Sequence, residues 1–255
     1  MKETRSLLNR LAICGVALAM VSTLAAQTVN QGAAKVVRLK GAARYKSNGA
    51  DWKQLKAGDL VKPGTLVQTA EKSRVDFVLG DGSTPVARGV PSDSISYQPS
   101  VEQNMVRMWE NTLLGVDKLT EAKTGADVVT ETQLDLRAGH IFGMVKKMSG
   151  ASKYEVKIPN GVAGIRGTVY DISAEGLVKV LSGSVVLAYV APDGTVTTQV
   201  IMGLQEFDAP KNALRPLPDP DATGMQRLIP QLTAGITPPI TPISRDNTID
   251  FVSPH

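Results

Sequence analysis

The sequence predicts a mainly β protein of two packed antiparallel sheets, arranged as a sandwich, a jelly roll or a β-roll. Short stretches that alternate apolar and polar residues recur at spacings of about 8 to 12 residues, with turn-forming pairs such as Asp-Gly and Pro-Gly between them. Few helical patterns separate these stretches, which argues against β-α-β units. Aromatic residues make up only 4% of the chain, so Val, Leu and Ile must fill the core.

Residues 1–26 have the pattern of a secretory signal peptide, and we expect them to be cleaved from the chain. A positively charged start (Lys2, Arg5 and Arg10) precedes an apolar run from 11 to 24. This run is shorter than the roughly 20 residues of a membrane-spanning helix, so an uncleaved anchor is the alternative. We therefore expect an exported protein, in the periplasm or on the surface of a Gram-negative-type bacterium.

The composition of the mature chain argues against a disulfide framework and against a nucleic-acid partner. Cys14 is the only cysteine and lies inside the signal segment, which fits an exported domain large enough to fold without disulfides. Removal of residues 1–26 leaves 25 basic and 23 acidic side chains, a net charge of +2. Such a small excess is too weak to indicate a nucleic-acid-binding domain.

The strands that precede the central stretch are indicated by alternation and by their turns. They run from 36 to 45, across 52 to 69, and from 74 to 79. Asp81 and Gly82 then form a hairpin turn that leads into an edge strand from 84 to 88.

Residues from about 100 to 123 predict an amphipathic helix inserted into the β pattern. Apolar side chains recur there at steps of three and four residues, including Met105, Met108, Trp109 and Leu113. We expect a lid over one open end of the sheet. The alternative is a helix that binds a partner or a membrane surface, although its polar face carries few lysines.

The stretch from Tyr154 to Ile172 is the most distinctive part of the chain. Alternation up to Ile158 predicts a strand, and the Pro-Asn-Gly turn at 159–161 ends it, because proline donates no ladder hydrogen bond and Asn160 tolerates positive φ. Further strands are expected over 133–137, 140–146, 177–181, 184–190 and 195–202.

Arg166 is the candidate site residue of this stretch. Its neighbours Gly164, Gly167 and Thr168 belong to the same candidate site. An unpaired buried guanidinium would cost several kcal/mol, so we expect Arg166 to bridge backbone carbonyls or a carboxylate such as Asp171 or Glu155. The alternative is that its guanidinium group faces outward and binds an acidic group on a partner.

Residues 210–255 form a proline-rich tail that we expect to be largely irregular. Nine of the chain's 15 prolines lie there, and proline favours extended backbone outside sheets. One or two helical turns are expected near Asp221 to Ile229. The chain thus divides into a signal peptide (1–26), a β domain (27–209) and this tail.

Four motifs in order resemble the FecR-type domain. They are the Asp-Gly-Ser hairpin at 81–83, the L-x-L-x-x-G run at 134–139, the PNGVAGIRGTVYDI segment at 159–172 and the VLSGSVVL pair at 180–187. The resemblance covers roughly residues 36–207. That family is named for a regulator of ferric-citrate uptake, and its domain recurs in bacterial periplasmic and surface proteins, so the resemblance implies such a domain here.

The residue inventory indicates neither catalysis nor a cofactor. The chain has two histidines, His140 and His255, and its mature part has no cysteine, so no conventional zinc site can be assembled. The G-x-S-x-G elbow and the phosphate-binding loop are both missing. Carboxylates such as Asp76 fall on turns or on the expected solvent faces of strands. We therefore expect a protein that is not an enzyme.

Three kinds of function remain open for an exported chain of this kind. The first is a non-enzymatic binding or scaffolding module whose partner is another envelope protein or a surface polymer. The second, implied by the resemblance, is a periplasmic signal relay related to iron-uptake regulation. The third is carbohydrate or polymer binding, for which Tyr45, Trp52 and Tyr97 are the aromatic candidates. No nucleic acid is expected, and a membrane only through an uncleaved N-terminal segment.

Overall fold

The structure is a computed structural model that describes residues 29–80, 103–124, 127–191 and 193–234. The signal segment, the hairpin at Asp81 and Gly82 with its return strand, and residues 235–255 of the tail lie outside the described residues.

Seventeen strands and one α-helix make up the described chain. The first nine strands are β1 (Val29–Gln31), β2 (Ala33–Lys40), β3 (Ala43–Ser47), β4 (Lys53–Gln54), β5 (Leu60–Val61), β6 (Thr65–Thr69), β7 (Arg74–Gly80), β8 (Asn104–Met108) and β9 (Leu113–Thr124). The next eight are β10 (Asp127–Ala138), β11 (His140–Met144), β12 (Lys153–Ile158), β13 (Gly161–Ser173), β14 (Leu177–Val190), β15 (Val196–Met202), β16 (Gln205–Asp208) and β17 (Ala213–Pro216). A 3-10 turn (Ala209–Lys211) and helix α1 (Asp219–Thr233) complete the fold.

The strands form one large curled sheet with two arms that meet at β13. The C-terminal half of β13 pairs with β11, and the order continues through β8 and β7 to β2 and β5. The N-terminal half pairs with β12, and the order continues through β10, β9 and β6 to β3 and β4. The other edge of β13 carries β14, which pairs with both β15 and β16.

The main core lies between the two arms. Alternate residues of both arms bury their side chains in one cluster, for example Phe77 and Ile141 from the first arm and Leu134 and Val156 from the second. Each strand therefore shows one apolar face, as the alternation predicts. The mainly β class is confirmed. The two layers belong to a single curled sheet, and one pairing in it, β10 with β12, is parallel.

The prediction of a helix near residues 100–123 is wrong, because β8 and β9 occupy that segment. All five residues of β8 are buried. Val106 and Met108 face the main core, whereas Met105 faces a second cluster on the outside of the first arm. A strand covered on both faces loses its alternation, so its apolar residues resemble a helical stripe.

Helix α1 covers that second cluster, and it corrects the expectation of an irregular tail. Met225 and Leu232 of the helix pack with Phe142 and Met144 of β11. The alternating prolines lie at the strand-to-helix connection, with proline in the first turn, where its missing amide costs nothing. Strand β17 also lies in the segment that was expected to be irregular.

Candidate functional site

The segment around Arg166 is a β-bulge at which β13 passes from one arm to the other. The register with β14 shifts between Arg166 and Val169. Gly167 has φ +60° and Gly183 has φ +84°, a left-handed region that favours glycine. A Cβ on Gly183 would overlap the carbonyl oxygen of Gly167 and lie 2.8 Å from the Cα of Thr168. The two glycines therefore allow the strands to cross closely at the bulge.

Thr168 fixes the geometry of this bulge. Its side chain is buried, and its hydroxyl lies 2.8 Å from the carbonyl oxygen of Ser184 and 2.9 Å from that of Arg166. The same hydroxyl accepts a hydrogen bond from the amide of Ser184 at 3.2 Å. The hydroxyl of Thr168 therefore links β13 and β14 at the bulge.

Arg166 itself points to solvent. Its side chain is exposed, and it forms no ion pair or side-chain hydrogen bond with any residue that the structure describes. The bridge expected to Glu155 or Asp171 is not formed. Glu155 instead accepts a hydrogen bond from the amide of Gln133 at 3.1 Å. The outward orientation is the alternative that the sequence left open.

Three strands beside Arg166 expose an apolar surface, which we call the valine face. The outward positions of β13, β14 and β15 alternate with core positions and carry Val162, Gly164, Arg166, Ser184, Val186, Ala188, Val190, Val196, Thr198, Val200 and Met202. Five of these side chains are large and at least 44% exposed, namely Val186, Val190, Val196, Val200 and Met202. Arg166 is the only charged residue in the set, and it lies at one end.

The edge of the valine face is an unpaired strand. β15 pairs with β14, and no other strand in the described part of the chain pairs with it. The eight residues from Thr195 to Met202 carry no charge. Edge strands of soluble proteins are commonly protected by charged side chains or proline, so an uncharged edge beside an apolar face is typical of an interaction surface.

Of the other predicted site residues, Gly164 belongs to the valine face, and the rest lie apart from it or are buried. Asn160 occupies the turn between β12 and β13, as the sequence indicates. Gly164 has open space around its Cα, since an added Cβ would meet nothing closer than 3.7 Å. Met105 and Met108 are buried on opposite faces of β8 and offer no contact surface to a partner. Leu113 begins β9.

Trp109 and His140 form a half-buried stack at the start of β11. Their ring centroids are 5.6 Å apart, and burial lowers the pKa of His140. The indole also lies 5.5 Å from the guanidinium carbon of Arg107. His140 is therefore at a strand start, as expected, but it packs against Trp109 rather than facing solvent.

A row of charged side chains beneath α1 is the main feature that sequence reasoning missed. Directly paired positions of eight strands place seven charged residues in one row, with Phe142 of β11 between Arg107 and Asp171. The charged residues are Arg38, Asp76, Arg107, Asp171, Lys179, Glu206 and Arg215. Asp76 was expected on a solvent face, yet it is 1% exposed. In the sequence, Asp76 and Arg107 each stand inside a strongly apolar run, which was the available signal that these charges are buried.

The centre of this row is a buried ion pair. Nε and Nη2 of Arg107 donate to the two carboxylate oxygens of Asp76 at 2.7 and 2.8 Å. Arg38 lies 3.6 Å from the same carboxylate. Its guanidinium also donates to carbonyl oxygens at the C-terminal end of α1, at 2.6 Å to Leu232 and 2.8 Å to Ala234. A cation at this end complements the helix dipole.

The other end of α1 is held by Lys179, which binds Asp221 at 2.9 Å. Asp171 is the direct cross-strand neighbour of Lys179. Burial raises the pKa of Asp171 to about 7, although Lys179 opposes the shift. Asp221 adds to it through like-charge repulsion.

Two further observations concern metal ions and membranes. Within the described ranges, no three His, Cys, Asp or Glu side chains are close enough to hold a metal ion. The helical part of the described chain is too short and too polar to cross a membrane.

Comparison with known proteins supports one family. The family model described as FecR protein matches residues 100–186. Among solved structures, two crystal structures of a provisionally assigned anti-sigma factor from Parabacteroides distasonis ATCC 8503, at 2.50 and 1.65 Å resolution, are similar. Each has a TM-score of 0.33 and 11% identity over 46% of this chain, and the match spans about half (51%) of that chain. No curated protein matches.

Proposed function

Residues 100–186 match the FecR family model, and on that premise we propose that the chain is an exported, non-enzymatic binding module of the cell envelope. The observation that supports binding most directly is the valine face with Arg166 at its end. Export is supported by the signal pattern of residues 1–26. The absence of an enzyme motif from the sequence is consistent with a role in binding.

The chemistry of the valine face defines the partner. Valine and methionine side chains favour an apolar contact, and burying them would release free energy in proportion to the apolar area covered. Arg166 has no ion-pair partner among the described residues, and its planar guanidinium group suits a carboxylate. We therefore propose a protein partner whose contacting segment carries apolar side chains and an aspartate or glutamate at one end.

The free edge of β15 suggests how that segment binds. An extended segment can add to an open edge through main-chain hydrogen bonds, while alternate side chains contact the adjoining face. Here those side chains would lie against Val196, Val200 and Met202. The register along β15 and β14 would bring the acidic residue towards Arg166, because Met202 and Arg166 are both paired with Ser184.

A signal relay between envelope proteins is the second candidate, favoured by the FecR match itself. It would use the same face, since a relay component must also bind its upstream and downstream proteins. The identity of the captured partner separates the two functions. A receptor or a membrane-embedded regulator supports the relay, whereas a structural envelope protein supports the scaffold.

Site-specific cross-linking in the native cells tests the proposal. A photoreactive amino acid at Val186 should give a defined protein adduct, and the matched position Val128 on β10 should not. The two side chains are 44% and 43% exposed, so their accessibility is the same. Arg166→Ala should reduce the adduct at Val186, whereas Arg137→Ala, which removes another exposed arginine, should leave it unchanged.

Three results would contradict the proposal. Equal adducts from Val186 and Val128 would show that exposure alone governs capture. An adduct unaffected by Arg166→Ala would remove the role of the arginine. Mass spectrometry that finds an intact Met1 in a cytoplasmic fraction would remove export.

A further inference from the structure

The positive charge of this chain is concentrated in its first strands. Residues 35–62 contain eight Lys or Arg and two acids, Asp51 and Asp59, whereas the whole chain has a net charge of only +4. This segment spans β2 to β5. The rest of the chain is therefore net negative, and the electrostatic potential of the molecule is strongly asymmetric.

One aromatic side chain lies within this basic segment. Trp52 precedes β4, and the guanidinium carbon of Arg44 lies 4.4 Å from its ring centroid. The ammonium group of Lys46 lies 5.0 Å from the same ring. Arg44 and Lys46 are two residues apart on β3 and therefore share one face of the strand.

These cations are not neutralised within the described structure. Arg44 donates from Nε to the amide oxygen of Gln68 at 2.9 Å, which holds the guanidinium in place and leaves its other donors available. Neither Arg44 nor Lys46 forms an ion pair with a described residue. Trp52 is half-buried, not a core residue. The cluster thus combines two unpaired cations with a fixed, partly exposed indole.

We propose that Arg44, Lys46 and Trp52 form a binding site for an anionic polysaccharide. Sulfate, phosphate or carboxylate groups on the sugar would bind the guanidinium and the ammonium group, and guanidinium suits such anions because its donors are paired. The apolar face of a sugar ring would contact the exposed part of the indole. The choice of a polysaccharide rests on the proposed export, which places the site among envelope polymers.

The aromatic inventory favours a polysaccharide over nucleic acid. Proteins that bind single strands stack successive bases on several aromatic side chains. Among the residues that the structure describes, Trp52 is the only aromatic side chain that these two cations contact. Tyr45, between them in sequence, packs against the main core instead. One aromatic platform between two cations suits one sugar ring with flanking anionic groups.

Binding of heparin, a sulfated polysaccharide, tests the site in the full mature chain. We expect calorimetry at low salt to show binding that weakens steeply as salt is added. Arg44→Ala combined with Lys46→Ala should weaken binding by about tenfold or more, since two charge-assisted contacts are lost. The control, Lys123→Ala with Lys147→Ala, removes the same net charge from exposed lysines elsewhere and should change binding by less than about twofold.

Tryptophan fluorescence gives a second and independent measurement. The chain has two tryptophans, so a heparin-induced change that persists in Trp109→Phe and disappears in Trp52→Phe places the ligand at Trp52. Arg166→Ala should leave heparin binding intact, which separates this site from the valine face.

The proposal is overturned by any of three outcomes. Heparin does not bind at low salt; the control pair weakens binding as much as the Arg44 and Lys46 pair; or single-stranded DNA of matched charge binds as tightly as heparin and quenches Trp52 equally. The last result would identify a nucleic-acid site.

Discussion

Removal of the buried carboxylate in Asp76→Ala should destabilise the protein more than any exposed charge substitution. Asp76 and Arg107 are each 1% exposed and joined by two hydrogen bonds of 2.7 and 2.8 Å. Without Asp76, the guanidinium stays buried with no anionic partner, a change that costs about 3–5 kcal/mol. For a domain of about 200 residues, each kcal/mol lowers the melting temperature by about 2–4 °C, so we expect a drop of about 6–20 °C.

Urea unfolding followed by circular dichroism measures this loss, with Asp135→Ala as the matched control. Asp135 also binds an arginine at 2.7 Å, but its partner Arg137 is 52% exposed. A solvent-exposed pair contributes about 0–1 kcal/mol, so the control should lose no more than that. If Asp76→Ala loses no more free energy of unfolding than Asp135→Ala, the reasoning about the buried pair fails.

A double substitution separates an unpaired charge from a packing defect. Asp76→Leu with Arg107→Met replaces both partners by apolar side chains, and such exchanges are often neutral or stabilising. We expect the double variant to be more stable than Asp76→Ala. A double variant that is as unstable as Asp76→Ala would show that the cost comes from lost packing under α1.

Three further predictions concern the bulge, the helix anchor and pH. Gly183→Ala should lower the free energy of unfolding in urea by at least about 2 kcal/mol, because its φ is +84° and the new Cβ meets the backbone. The control Gly164→Ala, whose added Cβ has 3.7 Å of clearance, should lower it by less than about 1 kcal/mol. Similar losses in the two variants would contradict this reasoning. Arg38→Ala should increase hydrogen exchange in α1 because three carbonyl contacts are lost, and unchanged protection of residues 219–233 would refute the anchor. Because the folded pKa of Asp171 is raised from 3.8 to about 7, stability from this group is present at low pH and lost as pH rises through 7. Melting temperatures from pH 5 to 8 should therefore fall less in Asp171→Asn than in the wild type, and identical slopes would exclude Asp171 as the source.

The sequence predicts the β class well because most strands bury one face. Alternation from Tyr154 to Ile158 identifies β12, and the turn at Asn160 lies where the sequence indicates. These features are local, since period and turn chemistry depend on neighbouring residues.

The errors arise where distant parts of the chain meet. The sequence predicts a helix at β8 because the strand is apolar on both faces. Its outer face is apolar because α1, more than 100 residues later in the chain, covers it. The pairing of Asp76 with Arg107 likewise depends on the register of β7 with β8. The exposure of Arg166 depends on the direction in which the bulge turns its side chain. The charges at Asp76 and Arg107 stand out within apolar runs, but nothing in the nearby sequence indicates that they pair, that α1 covers β8 or which way Arg166 points.

The position of α1 has a consequence for folding during synthesis. Val78, Met105, Phe142 and Met144 share their outer cluster with Met225 and Leu232 of α1. A nascent chain that has assembled its strands before α1 is made would therefore still expose this apolar surface. A chaperone that covers this surface until α1 has been synthesised would protect the chain from self-association. Truncation before residue 219 would leave the surface exposed.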